Sequence, residues 1–326
     1  MTGVLVLPGT APEADWLEAR RHGITASEIA VVMGLSPYSS PFALYHQKTG
    51  MLPGQDDSMA MALGRHLESF VADRFAERFP QFSIHGDGRA LHAREDRPWQ
   101  MATPDRLLAE GGGWQQDGPG LFSNQFPALT AVLECKTAGS YDGWGDDGSD
   151  VIPVHYRCQV LWQMDVLGVT TGFVAALFLH SRQLRVYELT LDTLARSDLY
   201  LMRQAASEFL ERIAYGDPPD IDWRPATTDA LKHLHPSVDD VDVPVRRMPI
   251  IQYQAACKAY KAAEERKKLA ENRLRQLLGN GHRIVSWHTG EVIARRDVYD
   301  LPAKTITRKA CTVDRLIPVK PKESTP

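Results

Sequence analysis

The clearest hydrophobic pattern in the chain lies between residues 59 and 79. There Leu63, Leu67, Phe70, Val71, Phe75 and Phe79 recur at helical spacing, which predicts one long amphipathic helix. Glu68 falls at the edge of that stripe. It is either a boundary carboxylate with its head in solvent or a buried functional group. A second pattern is the run Ala131-Val-Leu-Glu-Cys-Lys-Thr-Ala138, whose aliphatic and β-branched first half predicts a buried strand. Strand alternation puts Val132, Glu134 and Lys136 on one side and Leu133 and Cys135 on the other. Two charges on an apolar strand are expensive to bury unless they are paired or bound to something charged. A structural ion pair on an edge strand and a functional site both satisfy that condition.

The remaining pattern fills in around these two elements. A helix is expected over 15–22, then Gly23-Ile-Thr-Ala-Ser-Glu28 leads into an apolar run over 29–33. Thr25 or Ser27 can cap that second helix, with Glu28 in its first turn. A short helix follows over 42–48. Two or three strands are expected between 82 and 102, and Thr103-Pro-Asp-Arg106 then breaks the pattern. The proline ends the strand and rigidifies the turn, so Asp105 is held at a bend. Strand character resumes at Leu107-Leu108. Residues 110–128, rich in Gly, Pro, Gln and Asn, read as a long hairpin excursion. A helix over 156–168 places Gln159 and Gln163 one turn apart on one face. A hairpin over 173–179 and 184–190 and an amphipathic helix over 194–215 complete a first domain, residues 1–215. The Pro- and Asp-rich stretch 216–249 reads as an irregular linker. A basic helix over 250–278 and a small hairpin over 283–297 form the C-terminal part, 250–326, with a frayed end.

Composition narrows the function. No apolar run in the 326 residues reaches the roughly 20 needed to span a bilayer, and the N-terminus has no basic-then-apolar secretory signal. The four cysteines, Cys135, Cys158, Cys257 and Cys311, are scattered and form no Cys-x-x-Cys pair. That argues against zinc and iron–sulfur sites and for a reducing cytoplasm. A formal net charge of −4 gives no global nucleic-acid signature, so any DNA binding needs a local basic cleft.

Glu68 on a helix, Asp105 at a strand-end turn, Glu134 and Lys136 on one strand face and Gln159 on the next helix suit a hard divalent cation, which takes oxygen ligands. Asp105 and Glu134 would hold Mg²⁺, assisted by the Cys135 backbone carbonyl. Glu68 would hold a second ion directly or through water. Lys136 would orient the attacking water or help to deprotonate it, and stabilise developing charge. Mn²⁺ would substitute at such a site. The hydroxyls at 25–27 beside Arg20 and Arg21 are either a plain helix cap or a phosphate site.

Thr103-Pro-Asp105 and Glu134-Cys-Lys136 match the Pro-Asp…(Asp/Glu)-x-Lys pattern of the restriction-endonuclease-like nuclease superfamily. The chain further resembles the YqaJ viral recombinase family, which includes the lambda exonuclease. The resemblance is carried by Trp16…Arg20 and Gly23-Ile-Thr-Ala-Ser-Glu28, Gly34-Leu-Ser-Pro-Tyr38, Gly64-Arg-His-Leu-Glu68, Ala102-Thr-Pro-Asp-Arg106, Leu133-Glu-Cys-Lys-Thr137 and Tyr156…Gln159-Val…Trp162-Gln-Met164, in the family's order. It covers about residues 14–215. It implies an α/β (α+β) fold with a central mixed sheet flanked by helices, here with a C-terminal helical extension. It implies a Mg²⁺-dependent exonuclease, with two ions, that digests one strand of double-stranded DNA 5′ to 3′. The product would be a 3′ overhang for a single-strand annealing protein. By the resemblance Asp105 and Glu134 are metal ligands and Lys136 is the catalytic lysine. Glu68 and Gln159 stand beside them, and Arg20 and Ser27 grip a DNA phosphate. Some members form a three-membered ring around DNA. Two other readings stay open: an endonuclease of the same superfamily, and a non-catalytic module that binds DNA ends and recruits partners. The excursion between Asp105 and Glu134 is longer than the family's minimal hairpin, and nothing after about Gly216 has a counterpart.

Overall fold

A computed structural model describes residues 3–54, 58–86, 88–110, 129–298 and 300. They fall into two units, Met1–Val238 and Asp239–Pro326. The first carries β1 (Gly3–Leu7), α1 (Glu13–Arg21), β2 (Ile24–Thr25), α2 (Ala26–Val32), α3 (Pro41–Lys48), α4 (Met59–Arg78), β3 (Phe82–His85), β4 (Leu91–Arg94), β5 (Gln100–Ala102) and β6 (Arg106–Glu110). It continues with β7 (Leu129–Ala138), α5 (Val154–Leu167), β8 (Thr171–Phe178), β9 (Gln183–Thr190), α6 (Thr193–Tyr215) and α7 (Pro225–Leu234).

The main sheet has the order β3-β6-β7-β8-β9. Its neighbours are antiparallel except β7 and β8, which are parallel. A parallel pair needs a crossover, and α5 supplies it. Every residue of α5 from Val160 to Leu167 is buried, Gln163 and Asp165 included, as expected of a helix covered on several sides. Gly168 closes it at φ 74°, a left-handed cap that glycine adopts without a Cβ clash. A Cβ on Gly172 would stand 2.5 Å from Val160 Cγ1 and 2.9 Å from Met164 Sδ, so this glycine lets β8 and α5 approach closely. A smaller sheet, β1-β4-β5-β2, packs beside α5.

Strand alternation divides the core. Leu107, Val132, Val174 and Ala176 pack with α2, α5 and α6. Leu108, Ala131, Leu133, Cys135, Phe173 and Ala175 pack with Val71, Ala72 and Phe75 of α4. Glu134 and Lys136 therefore share the α5 face with Val132, the side expected from the alternation. The α4 stripe is shorter than its spacing suggests. Leu63 and Phe70 are 39% and 47% exposed, because all the buried residues of α4 lie in its second half.

Two further expectations are corrected. The start of the chain, where the pattern above predicts no element, forms β1 antiparallel to β4. The stretch 216–249, read as an irregular linker, contains α7, seated through Ala230 on Phe42, Ala43 and Leu52. Thr227 Oγ1 donates to Ser40 Oγ at 2.8 Å beneath it. The excursion over 111–128 lies outside the described residues.

The second unit comprises α8 (Arg247–Leu278) and the hairpin β10 (Arg283–Val285) and β11 (Val292–Arg295). No residue of α8 is buried. Among the described residues no helix is long and apolar enough to cross a membrane.

Candidate active site

The site grows from β7. Glu134 is 1% exposed, yet both its oxygens have donors. Lys136 Nζ donates to Oε1 at 2.5 Å, Gln159 Nε2 donates to the same oxygen, and Gln163 Nε2 donates to Oε2 at 2.6 Å. The two glutamines sit one turn apart on α5, so the buried helix aims both amides at the strand carboxylate. Asp105, at the turn before β6, accepts from the Cys135 backbone N–H at 2.7 Å through Oδ2. Burial and then the nearby Glu134 carboxylate push the Asp105 carboxyl well above the usual carboxylate range, against the pull of Lys136. Burial opposes the charged form of Lys136, but Glu134 and Asp105 outweigh it and hold the ammonium above its ordinary value. The ammonium also stands 5.1 Å over the Tyr156 ring, whose hydroxyl burial and a Tyr38 hydrogen bond push up to about 12.

The structure thus brings Asp105, Glu134, Lys136 and Gln159 together. The spacing of Gln163 was visible in the sequence, but its part in this cluster was not. Its Oε1 is buried without a hydrogen-bond partner among the described residues.

Glu68 departs from expectation. Its Oε1 is paired with Arg106 at 2.5 Å, and Arg106 also donates to the Asp105 carbonyl at 2.5 Å. Among the described residues no group of three or more His, Cys, Asp and Glu side chains is placed to hold a metal ion. The Glu68 carboxylate thus faces a guanidinium, while its charge still acts on Asp105 and raises that carboxyl further. Nothing in the sequence distinguished Arg106 from an ordinary residue after a turn.

The second predicted cluster also forms. Arg20 donates to both Thr25 Oγ1 and Ser27 Oγ at 3.2 Å, and its guanidinium lies 4.3 Å over the Trp16 ring. Thr25 caps α2 while Glu28 reaches back to the Thr25 N–H at 2.9 Å. Lys48, its side chain only 4% exposed, pairs with Glu28 at 2.9 Å. Burial raises the Glu28 carboxyl, but Lys48 and Arg20 bring it below the usual range. Lys48 went unremarked in the sequence because it arrives from α3. Its Nζ also donates to the Arg20 carbonyl at 2.8 Å, so it braces the arginine that carries the cluster. Trp162 Nε1, on α5, donates to the Ile24 and Met101 carbonyls at 3.2 and 3.1 Å. The same helix that aims Gln159 at Glu134 therefore anchors the strand leading to Thr25.

A mixed sheet with a parallel crossover pair, a Pro-Asp turn entering one strand and a Glu-x-Lys on the next form the mixed α/β core that the sequence resemblance implies. Residues 15–173 match the family described as the YqaJ-like viral recombinase domain. The uncharacterized protein YqaJ of Bacillus subtilis (strain 168) is 29% identical over 157 residues, 47% of this chain. The chain spans 42% of that relative's length. Among solved structures, the alkaline exonuclease LHK-Exo of Laribacter hongkongensis is 17% identical, with a TM-score of 0.46 over 63% of this chain and 94% of that one. LHK-Exo in complex with dAMP gives a TM-score of 0.47, again at 17% identity with the same coverage of both chains.

Proposed function

We propose that the first unit is a Mg²⁺-dependent exonuclease acting on double-stranded DNA ends. It would digest one strand 5′ to 3′ and leave a 3′ overhang for a single-strand annealing protein. The observation that carries the reading is the pairing of a buried Glu134 with Asp105 beside a protonated lysine. Burial and the Glu134 carboxylate raise the proton affinity of Asp105, so the place is short of positive charge, and a hard cation supplies it. Three donors on Glu134 leave about one of a carboxylate's roughly four acceptor sites for an ion. Asp105 Oδ2 is engaged by one backbone donor, and the Cys135 carbonyl is at hand on the same strand. When bound, Mg²⁺ neutralises phosphate charge and acidifies water.

The chain's own groups do the rest. Gln159 and Gln163 fix the Glu134 carboxylate from the helix side, so the ligand oxygens keep their places when substrate arrives. Lys136, held as an ammonium, is a donor: it orients the attacking water and stabilises charge on the phosphate oxygens. Arg20 and Ser27, locked together and exposed on one side, would take the 5′-phosphate and set register, which an end-directed enzyme needs and an internal cutter does not.

The test is a linear duplex with either a 5′-phosphate or a 5′-hydroxyl, labelled at one 3′ end, with Mg²⁺ or EDTA. Mg²⁺-dependent release of mononucleotides from the 5′ side, faster with the phosphate, is expected, and Arg20→Ala should erase the preference. Equal cutting of a closed circle would instead establish an endonuclease. Binding without cutting would leave a recruiting module.

A further inference from the structure

Three observations single out Glu68. First, its carboxylate is committed to a guanidinium: Arg106 Nη1 stands 2.5 Å from Glu68 Oε1. Arg106 is 8% exposed and is pinned by the Asp105 carbonyl, so it has little freedom to swing away. Second, the guanidinium reaches Glu68 from the α4 side of the sheet, while Glu68 stays close enough for its charge to act on Asp105. Leu107 packs on the α5 face and Leu108 on the α4 face. By strand alternation Arg106 shares the α4 face with Leu108, whereas Glu134, Lys136 and the two glutamines occupy the α5 face. Third, the backbone closes on the carboxylate from another direction. A Cβ on Gly88, at φ +75°, would stand 2.8 Å from Glu68 Oε1, so the glycine that this backbone conformation favours also leaves the carboxylate its room.

An arginine stays charged at every accessible pH and presents its donors in a fixed fork that matches a carboxylate. Beside Asp105 it supplies a positive charge where another ion would otherwise be wanted. We propose that Arg106 is a built-in cation that takes the place of a second divalent ion beside Glu68, so that the Asp105–Glu134 centre holds a single ion. The inference rests on the metal-dependent reading of that centre and departs from the two ions that the family resemblance implies. Glu68 becomes a positioning residue. It holds Arg106, and Arg106 holds the Asp105 turn through its carbonyl.

Ion count tests this without recourse to activity. The full chain, with a duplex carrying a non-hydrolysable terminal linkage, is titrated with Mn²⁺ and read by electron paramagnetic resonance. The expectation is one Mn²⁺ per chain, without Mn–Mn coupling, in both the native protein and Glu68→Gln. Arg106→Ala should free Glu68 and take up a second, coupled Mn²⁺, while Arg106→Lys should stay at one. Two coupled ions in the native protein, falling to one in Glu68→Gln, would overturn the inference and leave the nuclease reading intact. A single ion in a folded Arg106→Ala variant would overturn it as well. If Arg106→Ala fails to melt cooperatively, the native and Glu68→Gln counts decide. No Mn²⁺ at all, unchanged by Asp105→Ala, would remove the metal-dependent reading itself and this inference with it.

Discussion

Lys136 concentrates the argument at the scale of single residues. Its ammonium is 2.5 Å from Glu134 Oε1 and sits in the field of two carboxylates, so it is available as a donor of charge and hydrogen bonds. Lys136→Ala should retain Mn²⁺ and duplex binding but lower the rate of strand cleavage by about 10² or more, the size expected for removing one preorganised donor from a charge-developing site. Single-turnover cleavage against equilibrium binding separates the two effects, and a variant that cuts at the native rate would take β7 out of the chemistry. The sequence made this residue legible because strand alternation has a period of two, which alone puts Glu134 and Lys136 on one face. Asp105 was legible through its proline, and Arg20 with Ser27 through their place before an apolar run. Gln163, Arg106 and Lys48 were not. Each matters through a partner 29, 38 or 20 positions away (Glu134, Glu68, Glu28), and no local spacing encodes a meeting of that kind.

At the scale of elements, a buried histidine adds a pH dependence of its own. His92 on β4 is 1% exposed, and burial pushes its imidazole from 6.5 down to about 4. The fold therefore prefers the neutral ring. Its contribution is fully present above pH 6.5, declines as pH falls toward 4, and is constant below that. A depression from 6.5 to about 4 corresponds to about 3 kcal/mol lost across the window. Urea midpoints should fall between pH 6.5 and 4 in the native protein. In His92→Gln that part of the slope should vanish; an unchanged slope would assign the acid sensitivity elsewhere. The small sheet that holds His92 is also where the sequence was least informative. β2 has two residues, too few for any period, and β1 is a largely exposed edge whose four aliphatic residues show no alternation. α7 was missed because a Pro- and Asp-rich setting masks a short helix that tertiary contact with α3 holds in place. The long elements α4, α5, α6 and α8 were legible because their apolar spacing or helix-forming composition runs over several turns.

For the whole molecule the question is what the second unit contributes. Every residue of the four apolar clusters lies in the first unit, and α8 buries nothing. Hydrophobic burial is the dominant favourable term in folding, so the first unit holds its own stabilising core. A chain ending after Val238 should melt cooperatively, with a midpoint within a few degrees of the full chain, and keep Mg²⁺-dependent cleavage of duplex ends at low salt. The α8 sequence carries eight Lys and Arg against three Glu. Each phosphate a protein neutralises adds about 0.9 to the slope of log affinity against log salt on duplex DNA. If α8 lies along the backbone, the full chain should show the steeper slope, and the shortened chain should lose affinity mainly near physiological salt. Equal slopes for the two chains would free α8 from DNA and leave its exposed face for another partner. A shortened chain that melts without cooperativity would mean that the first unit depends on the second for its fold.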